Sequence, residues 1–351
     1  MIEEKISELT KRKYVVPVRS GTDALYLSLV ASGIQKGDKV LVSNFSWIST
    51  ASCITMVGAT PVFCDIDLNT YHMCLQSIRR MVSPDTKALI FPHLFGSMME
   101  TDQLVDFCKE RKIILIEDAC QAVGSSLNGV PAGSIGDIST FSFNLNKVVS
   151  GITGGGAVLT DNEKYAQYLH KISHHGYNGI DFEFLGINAK MSEIDKDAIC
   201  KQLGFLEKTN QKRNNLAKNY DNFFASLPVK LQKTPKGICN NHHKYTVRFN
   251  TKEVRDKVQK ILNCKIHYPM PISENTMYRD IVHQKDKCVN AKLVSDTILT
   301  LPMDSNSLPV DDIYKLLVEK IITQPDYAME DINQYTKDNL HNALYDIARS
   351  Q

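Results

Sequence analysis

The chain has 351 residues, enough for a large buried core and for two subdomains. Lys and Arg number 41 against 39 Asp and Glu, a near balance that gives no footing for nucleic-acid or polyanion binding, so any anion site has to be local. The nine cysteines include no C-x-x-C pair and no metal-ligand spacing, which argues against a metal site and for a reducing compartment. The start, Met1-Ile2-Glu3-Glu4-Lys5, is too polar for a signal peptide, and no apolar run reaches membrane-spanning length. A soluble, cytoplasmic protein with no nucleic-acid or membrane partner is expected.

In chain order, Ile2, Ile6 and Leu9 recur at helical spacing within residues 2–13 and predict a short amphipathic helix. Ser20-Gly21-Thr22-Asp23 then opens a helical pattern carried by Ala24, Leu25, Ser28 and Leu29. Such a start offers free backbone N–H groups, a hydroxyl and the favourable end of the helix dipole to an anion, although an ordinary N-cap would look the same. Lys39–Ser43 reads as a strand, and the next helix is expected to begin at Phe45. Trp47, the only tryptophan, lies at that junction, where either core packing or ligand contact is open to it. Strands follow at Gly58–Asp67 and Ala88–Pro92, the second running into His93, which a structural role would equally explain.

Ile113-Ile114-Leu115-Ile116 is an apolar run that stops at Glu117-Asp118, the pattern of a strand buried on both faces. Its carboxyl end is where open α/β sheets bind ligands, so the acids stand where chemistry is done. The alternation of strands and helices across residues 38–160 indicates a doubly wound, mostly parallel sheet. Gly151–Gly156 invites a dinucleotide-loop reading, but a strand pattern follows it rather than a helix. His174-His175 has no further ligand at metal spacing, and no metal is expected. A helix covers Lys164–Ser173, and one long helix is expected from Glu193 to about Leu227. Beyond Pro228, His243–Phe249 alternates as a strand of a smaller unit, and a tail from Pro325 to Gln351 carries a helical stripe suited to packing.

Glu117-Asp118-Ala119-x-Gln121, Gly136-Asp137, Ser142-Phe143-x-x-x-Lys147 and Gly154-Gly155-Gly156, in that order, resemble the nucleotide-sugar aminotransferases of the DegT/StrS group. These are pyridoxal 5'-phosphate (PLP) enzymes with the type I aspartate-aminotransferase fold, and the match runs with gaps from about Ser20 to about Leu317. The resemblance implies an α/β large domain, residues 1–227, with a mostly parallel sheet of seven-stranded type flanked by helices. A smaller α+β domain, 228–324, and a helical tail, 325–351, would follow. It places Gly21, Thr22, Asp23 and Ser142 around the cofactor phosphate, Trp47 on the pyridine ring and Lys147 as the catalytic amine. Asn188 would reach the phosphate of a partner subunit, implying an obligate homodimer with shared sites, while Lys190, His267 and Tyr268 would face substrate. Ile187 stands where the family carries Tyr, and Asp195-Lys196 where it carries Gln-Ala.

Each role makes chemical sense by itself. PLP needs a primary amine, which a partly apolar site makes nucleophilic at neutral pH, and Lys147 supplies it. The ring nitrogen needs a carboxylate to stay protonated, which fits Asp118, and Gln121 can donate to the ring hydroxyl oxygen. The reading is a ping-pong aminotransferase that takes an amine from L-glutamate, leaves pyridoxamine phosphate, and delivers the amine to a nucleotide-linked keto-6-deoxysugar. Carbon 4 of a 4-keto-6-deoxyglucose is favoured, with a 3-keto sugar or a non-catalytic PLP-fold sensor or scaffold as alternatives. Relatives that dehydrate the sugar carry His in place of Lys, and Lys147 argues against that class.

Overall fold

The computed structural model describes residues 1–225, 227–279, 287–303 and 313. Strands β1 (Tyr14–Val18), β2 (Lys39–Ser43), β3 (Thr60–Cys64), β4 (Thr86–Pro92) and β5 (Ile114–Asp118) come first, followed by the short β6 (Ser126–Leu127) and β7 (Val130–Pro131). Next are β8 (Ile138–Ser142), β9 (Gly156–Thr160), β10 (Lys230–Leu231), β11 (Ile238–Cys239), β12 (Tyr245–Arg248) and β13 (Ile298–Leu301). The helices are α1 (Ile2–Thr10), α2 (Gly21–Ala31), α3 (Ser49–Met56), α4 (Leu75–Met81), α5 (Asp102–Arg111), α6 (Glu163–Ile172) and α7 (Glu193–Leu203). They continue with α8 (Leu206–Phe224), α9 (Lys252–Leu262), α10 (Thr276–Arg279) and α11 (Val289–Thr297).

The central sheet has seven strands in the order β1-β9-β8-β5-β4-β2-β3. Its β3-β2-β4-β5-β8 portion is parallel, and β9 pairs antiparallel with both β8 and β1. The type I fold expected from the resemblance is present, with a mostly parallel sheet flanked by helices. A second sheet, β10-β12-β13, shares a core with α8 and α9 through Tyr220, Phe223, Phe224, Val247, Val258 and Leu299. The rest of the expected small domain after Met303, Ile313 apart, and the tail from Pro325 lie outside the described residues.

Three local differences from expectation have physical causes. Tyr14–Val18 is an added strand; Pro17 lacks an N–H, and β1 is the edge strand of the sheet, laddered to β9 on one side and bridged on the other only at Val18, to Lys190, so Pro17 is tolerated there. The helix expected from Phe45 begins only at Ser49, because the Ser43 hydroxyl bonds both the N–H and the C=O of Phe45 and holds the chain out of helical form. The single long helix from Glu193 is two helices, broken at Gly204-Phe205, whose N–H groups tighten onto the Lys201 and Gln202 carbonyls.

Successive strand residues point to opposite faces, so Glu117 and Asp118 at the end of β5 serve different sides of the sheet. Glu117 is fully buried. It accepts from the Gly133 N–H (2.6 Å), the Ile135 N–H (2.8 Å), the Ser139 hydroxyl (2.7 Å) and His93 Nε2 (3.0 Å). His93 Nδ1 accepts the Met99 N–H, which fixes the ring so that Nε2 carries the hydrogen, and the structural role left open for His93 is the one it fills. Buried Arg12 completes the set by donating to the carbonyls of Gly133, Ile135 and Gly136. The loop entering β8 is thereby tied to β5.

Removing a buried carboxylate that satisfies this many donors strands all of them. Glu117→Ala is expected to lower stability by roughly 3–5 kcal/mol, the upper end of single-substitution effects, because several buried donors lose their acceptor. The check is the urea midpoint at constant slope, and an unmoved midpoint would mean that water replaces the carboxylate without cost.

Candidate active site

On the other face of β5, a cavity of about 250 Å³ opens at the carboxyl ends of the parallel strands. Its walls include Thr22, Trp47, Thr50, Asp118, Cys120, Gln121, Ser142 and Lys147, and, from beyond Pro228, His243, Lys244, His267 and Tyr268. Gly21, Thr22, Trp47, Asp118, Gln121, Ser142, Lys147, His267 and Tyr268 are thus gathered from distant parts of the sequence into one space.

Asp118 ends β5 almost fully buried. Its Oδ2 accepts from the Thr50 hydroxyl (2.9 Å), itself bonded to Ser46 (2.9 Å), and its Oδ1 accepts the Cys120 N–H (3.2 Å). Thr50 was not foreseen as part of the site; a hydroxyl in the first turn of a helix signals only capping until the tertiary fold sets it beside an acid. Gln121 is fixed at both ends, its Oε1 accepting the Phe95 N–H (2.9 Å) and its Nε2 donating to the Tyr268 hydroxyl (3.0 Å). One amide hydrogen remains for another acceptor.

The N-terminus of α2 faces Ser142. A Cβ built on Gly21 would lie 2.6 Å from the Ser142 Cβ, so only glycine lets the helix start approach β8 this closely. Ser20 caps the helix by accepting the Asp23 N–H, and the Asp23 carboxylate pairs with Arg19 (3.2 Å) and Ser20 (2.9 Å). Asp23 therefore supports the cradle from behind and does not line the cavity.

Lys147 is half-buried where its side chain meets the cavity, and burial pushes its ammonium below the usual lysine range, against opposing contributions from Cys120 and Asp118. Burial likewise pushes the Cys120 thiol far up, keeping it protonated. His267 is lowered to about 3 by burial and by Lys244, Lys265 and Lys147, and burial with Lys147 nearby drives His243 well down, so both imidazoles are neutral. Trp47 is 57% exposed on the rim, its ring 6.2 Å from that of Tyr268, which removes the core-packing alternative.

Asn188 and Lys190 go elsewhere. Both are exposed, in a segment whose backbone pairs with His174 and Val18, and neither lines this cavity. Among the described residues no group of three or more His, Cys, Asp or Glu could hold a metal, and no helix is long and apolar enough to cross a membrane.

The DegT/DnrJ/EryC1/StrS aminotransferase family matches residues 1–316. The chain belongs to this family. A UDP-N-acetyl-3-dehydro-alpha-D-glucosamine 3-aminotransferase of Acidithiobacillus ferrooxidans is 32% identical over 86% of the chain and 82% of its own length. A dTDP-4-dehydro-2,3,6-trideoxy-D-glucose 4-aminotransferase of Saccharopolyspora spinosa is 31% identical over 88% and 86%. Among solved structures, DesV of S. venezuelae superposes with a TM-score of 0.86 at 25% identity, covering 94% of the chain and 89% of DesV. Like the family, the protein is a PLP-dependent nucleotide-sugar aminotransferase.

The donor set fits that cofactor. A cavity with one buried carboxylate, one amine of lowered pKa and a glycine-dependent cradle of hydroxyl and helix N–H groups matches a protonated ring nitrogen, an aldehyde and a phosphate.

A lowered Lys147 pKa fixes a sign. The neutral, reactive amine grows as pH rises through the folded value, which lies below that of exposed lysines. In apoprotein treated with an aldehyde and borohydride, labelling at Lys147 should saturate at lower pH than labelling of surface lysines, read by peptide mass spectrometry. Labelling that tracks the surface lysines would show that the cavity leaves Lys147 unperturbed.

Proposed function

We propose that the protein moves an amino group from L-glutamate to carbon 4 of a nucleotide-linked 4-keto-6-deoxyglucose. The observation that carries the site assignment is the convergence of Lys147, Asp118, Gln121, Thr22 and Ser142 on one cavity. When bound, PLP supplies an aldehyde and an electron sink. Asp118, oriented by Thr50, would hold the ring-nitrogen proton, and Gln121 would donate to the ring hydroxyl. Thr22, Ser142 and the start of α2 would hold the phosphate, with Trp47 on the ring face. Lys147 Nζ would take up and return the proton at the substrate carbon, a task suited to an amine whose pKa burial has lowered. Neutral His267 and the Tyr268 hydroxyl offer hydrogen bonds to substrate without adding charge.

Amination at carbon 3 is the second reading, favoured by the 32% identity to the Acidithiobacillus 3-aminotransferase. The complete Lys–Asp–Gln–Ser set speaks against a sensor or scaffold. Incubating the holoenzyme with L-glutamate and matched 4-keto and 3-keto nucleotide sugars, with product position read by NMR, separates the two carbons. A 4-amino product is expected, and a 3-amino product overturns that choice. Lys147→Ala should lower turnover by about 10²–10⁴-fold. A wild-type protein that never takes up PLP would sink the reading entirely.

The same proposal includes a homodimer with shared sites. Its support is the exposure of Asn188 beside a loop that presents Ile180 (94% exposed), Phe182 (65%) and Leu185 (97%) to solvent, an apolar display suited to a partner surface. Asn188→Ala should weaken PLP retention in the partner's site. Mixed with Lys147→Ala chains, it should give dimers with one doubly damaged and one undamaged site, recovering about half of wild-type activity per dimer. No recovery, with subunit exchange shown separately, would mean that Asn188 acts within its own chain.

A further inference from the structure

Between Lys147 and β9 the chain makes a loop, and Thr153, Gly154 and Gly155 of that loop line the cavity. Four side chains of α7 and its lead-in hold it. Asp195 Oδ1 accepts the Thr153 N–H (2.8 Å) and Oδ2 accepts the Thr153 hydroxyl (2.7 Å) and the Ser192 hydroxyl. One α7 face further along, Gln202 closes a two-way amide pair with Ser150, donating to its C=O (2.6 Å) and accepting from its N–H (3.1 Å). Met191 and Ile199 press on Gly155, where a Cβ would lie 3.0 Å and 3.1 Å from their side chains.

Asp195 stands where the resemblance places Gln. A Cβ on Gly151 would meet the Gly154 carbonyl oxygen at 2.0 Å and Asp195 Oδ1 at 2.7 Å, so the loop folds tightly on itself and against the carboxylate. Asp195 is 3% exposed. Burial by itself would raise its pKa, but the hydrogen bonds from Ser192 and Thr153 outweigh that and hold it at about 2. It is therefore an ionised, triply bonded acceptor throughout the neutral range.

We propose that Asp195 is a positioning residue for the transamination, fixing Thr153 so that the loop after Lys147 presents a preformed wall to the cofactor and substrate. The proposal rests on the reading of the Lys147 cavity as the PLP site. Asp195 touches neither reactant; it acts by denying the loop its other conformations.

Three variants test it. Asp195→Ala removes every acceptor. Asp195→Asn keeps one oxygen for the Thr153 N–H and turns its amide toward two hydroxyls, which can accept. Asp195→Gln adds a methylene and displaces the acceptor from the Thr153 N–H and hydroxyl. The first readout needs no cofactor: in apoprotein, hydrogen exchange at residues 150–155 should speed up by about tenfold or more in Asp195→Ala while β5 and β8 stay protected. In holoenzyme, kcat should fall about 10–100-fold with KM for the nucleotide sugar changed less than about threefold. Asp195→Asn should restore both readouts, and Asp195→Gln should restore neither. A merely structural role would lower the thermal midpoint and leave kcat per folded enzyme unchanged, and that outcome overturns the proposal. So does unchanged exchange at 150–155 in Asp195→Ala. Should wild-type protein bind no PLP, the site reading fails with it; wild-type turnover beside a fully active Asp195→Ala defeats the inference alone.

Discussion

The buried carboxylate of Glu117 is the constraint on which the active site rests. A strand presents neighbouring residues to opposite faces, so the acid pair at the end of β5 divides its labour. Glu117 collects the N–H groups of Gly133 and Ile135, the Ser139 hydroxyl and His93 below the sheet, and in doing so fixes where β8 begins. Ser142 stands at the far end of that strand, and Lys147 follows it. Without the tie, the cradle residue and the amine would have no fixed distance from Asp118. The two acids differ in how they meet the cost of burial: Glu117 is saturated by the protein, whereas Asp118, bonded to Thr50 and to the Cys120 N–H, also borders the cavity.

The chain beyond Pro228 closes the site by polar bonds. Asn241 donates to the carbonyls of Gln121 and Val123, at 3.0 Å each, just behind the cavity wall. Arg213 on α8 gathers the carbonyls of Asn241, His242 and His243, which sets the His243 ring on that wall. Tyr268 reaches Gln121 from the other side. The chain beyond Pro228 therefore grips one residue, Gln121, both by backbone and by side chain.

Much of this was legible from the residues. Ile113–Ile116 and Ala88–Pro92 are apolar enough to be read as buried strands, and an acid that ends such a run can be read as a ligand group before any fold is known. Lys147 was legible only through its companions, since an isolated lysine looks like a solvated surface charge. What stayed hidden depends on tertiary proximity. Thr50 and Asp195 have no signature beyond a helix first turn, and their partners lie 68 and 42 residues away. The edge strand β1 was masked by Pro17, and the α7–α8 break by a helical pattern that continues on either side of Gly204-Phe205. Asn188 and Lys190 match their motif yet face away from their own cavity, because a motif gives identity and not direction.

Trp47 has a consequence of a different kind. Held out of α3 by the Ser43–Phe45 bonds, the chain's single indole stands at the mouth of the cavity with Tyr268 beside it. All tryptophan emission of this protein thus originates at one rim position. Its intensity and colour are an optical gauge built into the native chain, able to follow occupancy of the cavity in real time without a label and without waiting for turnover.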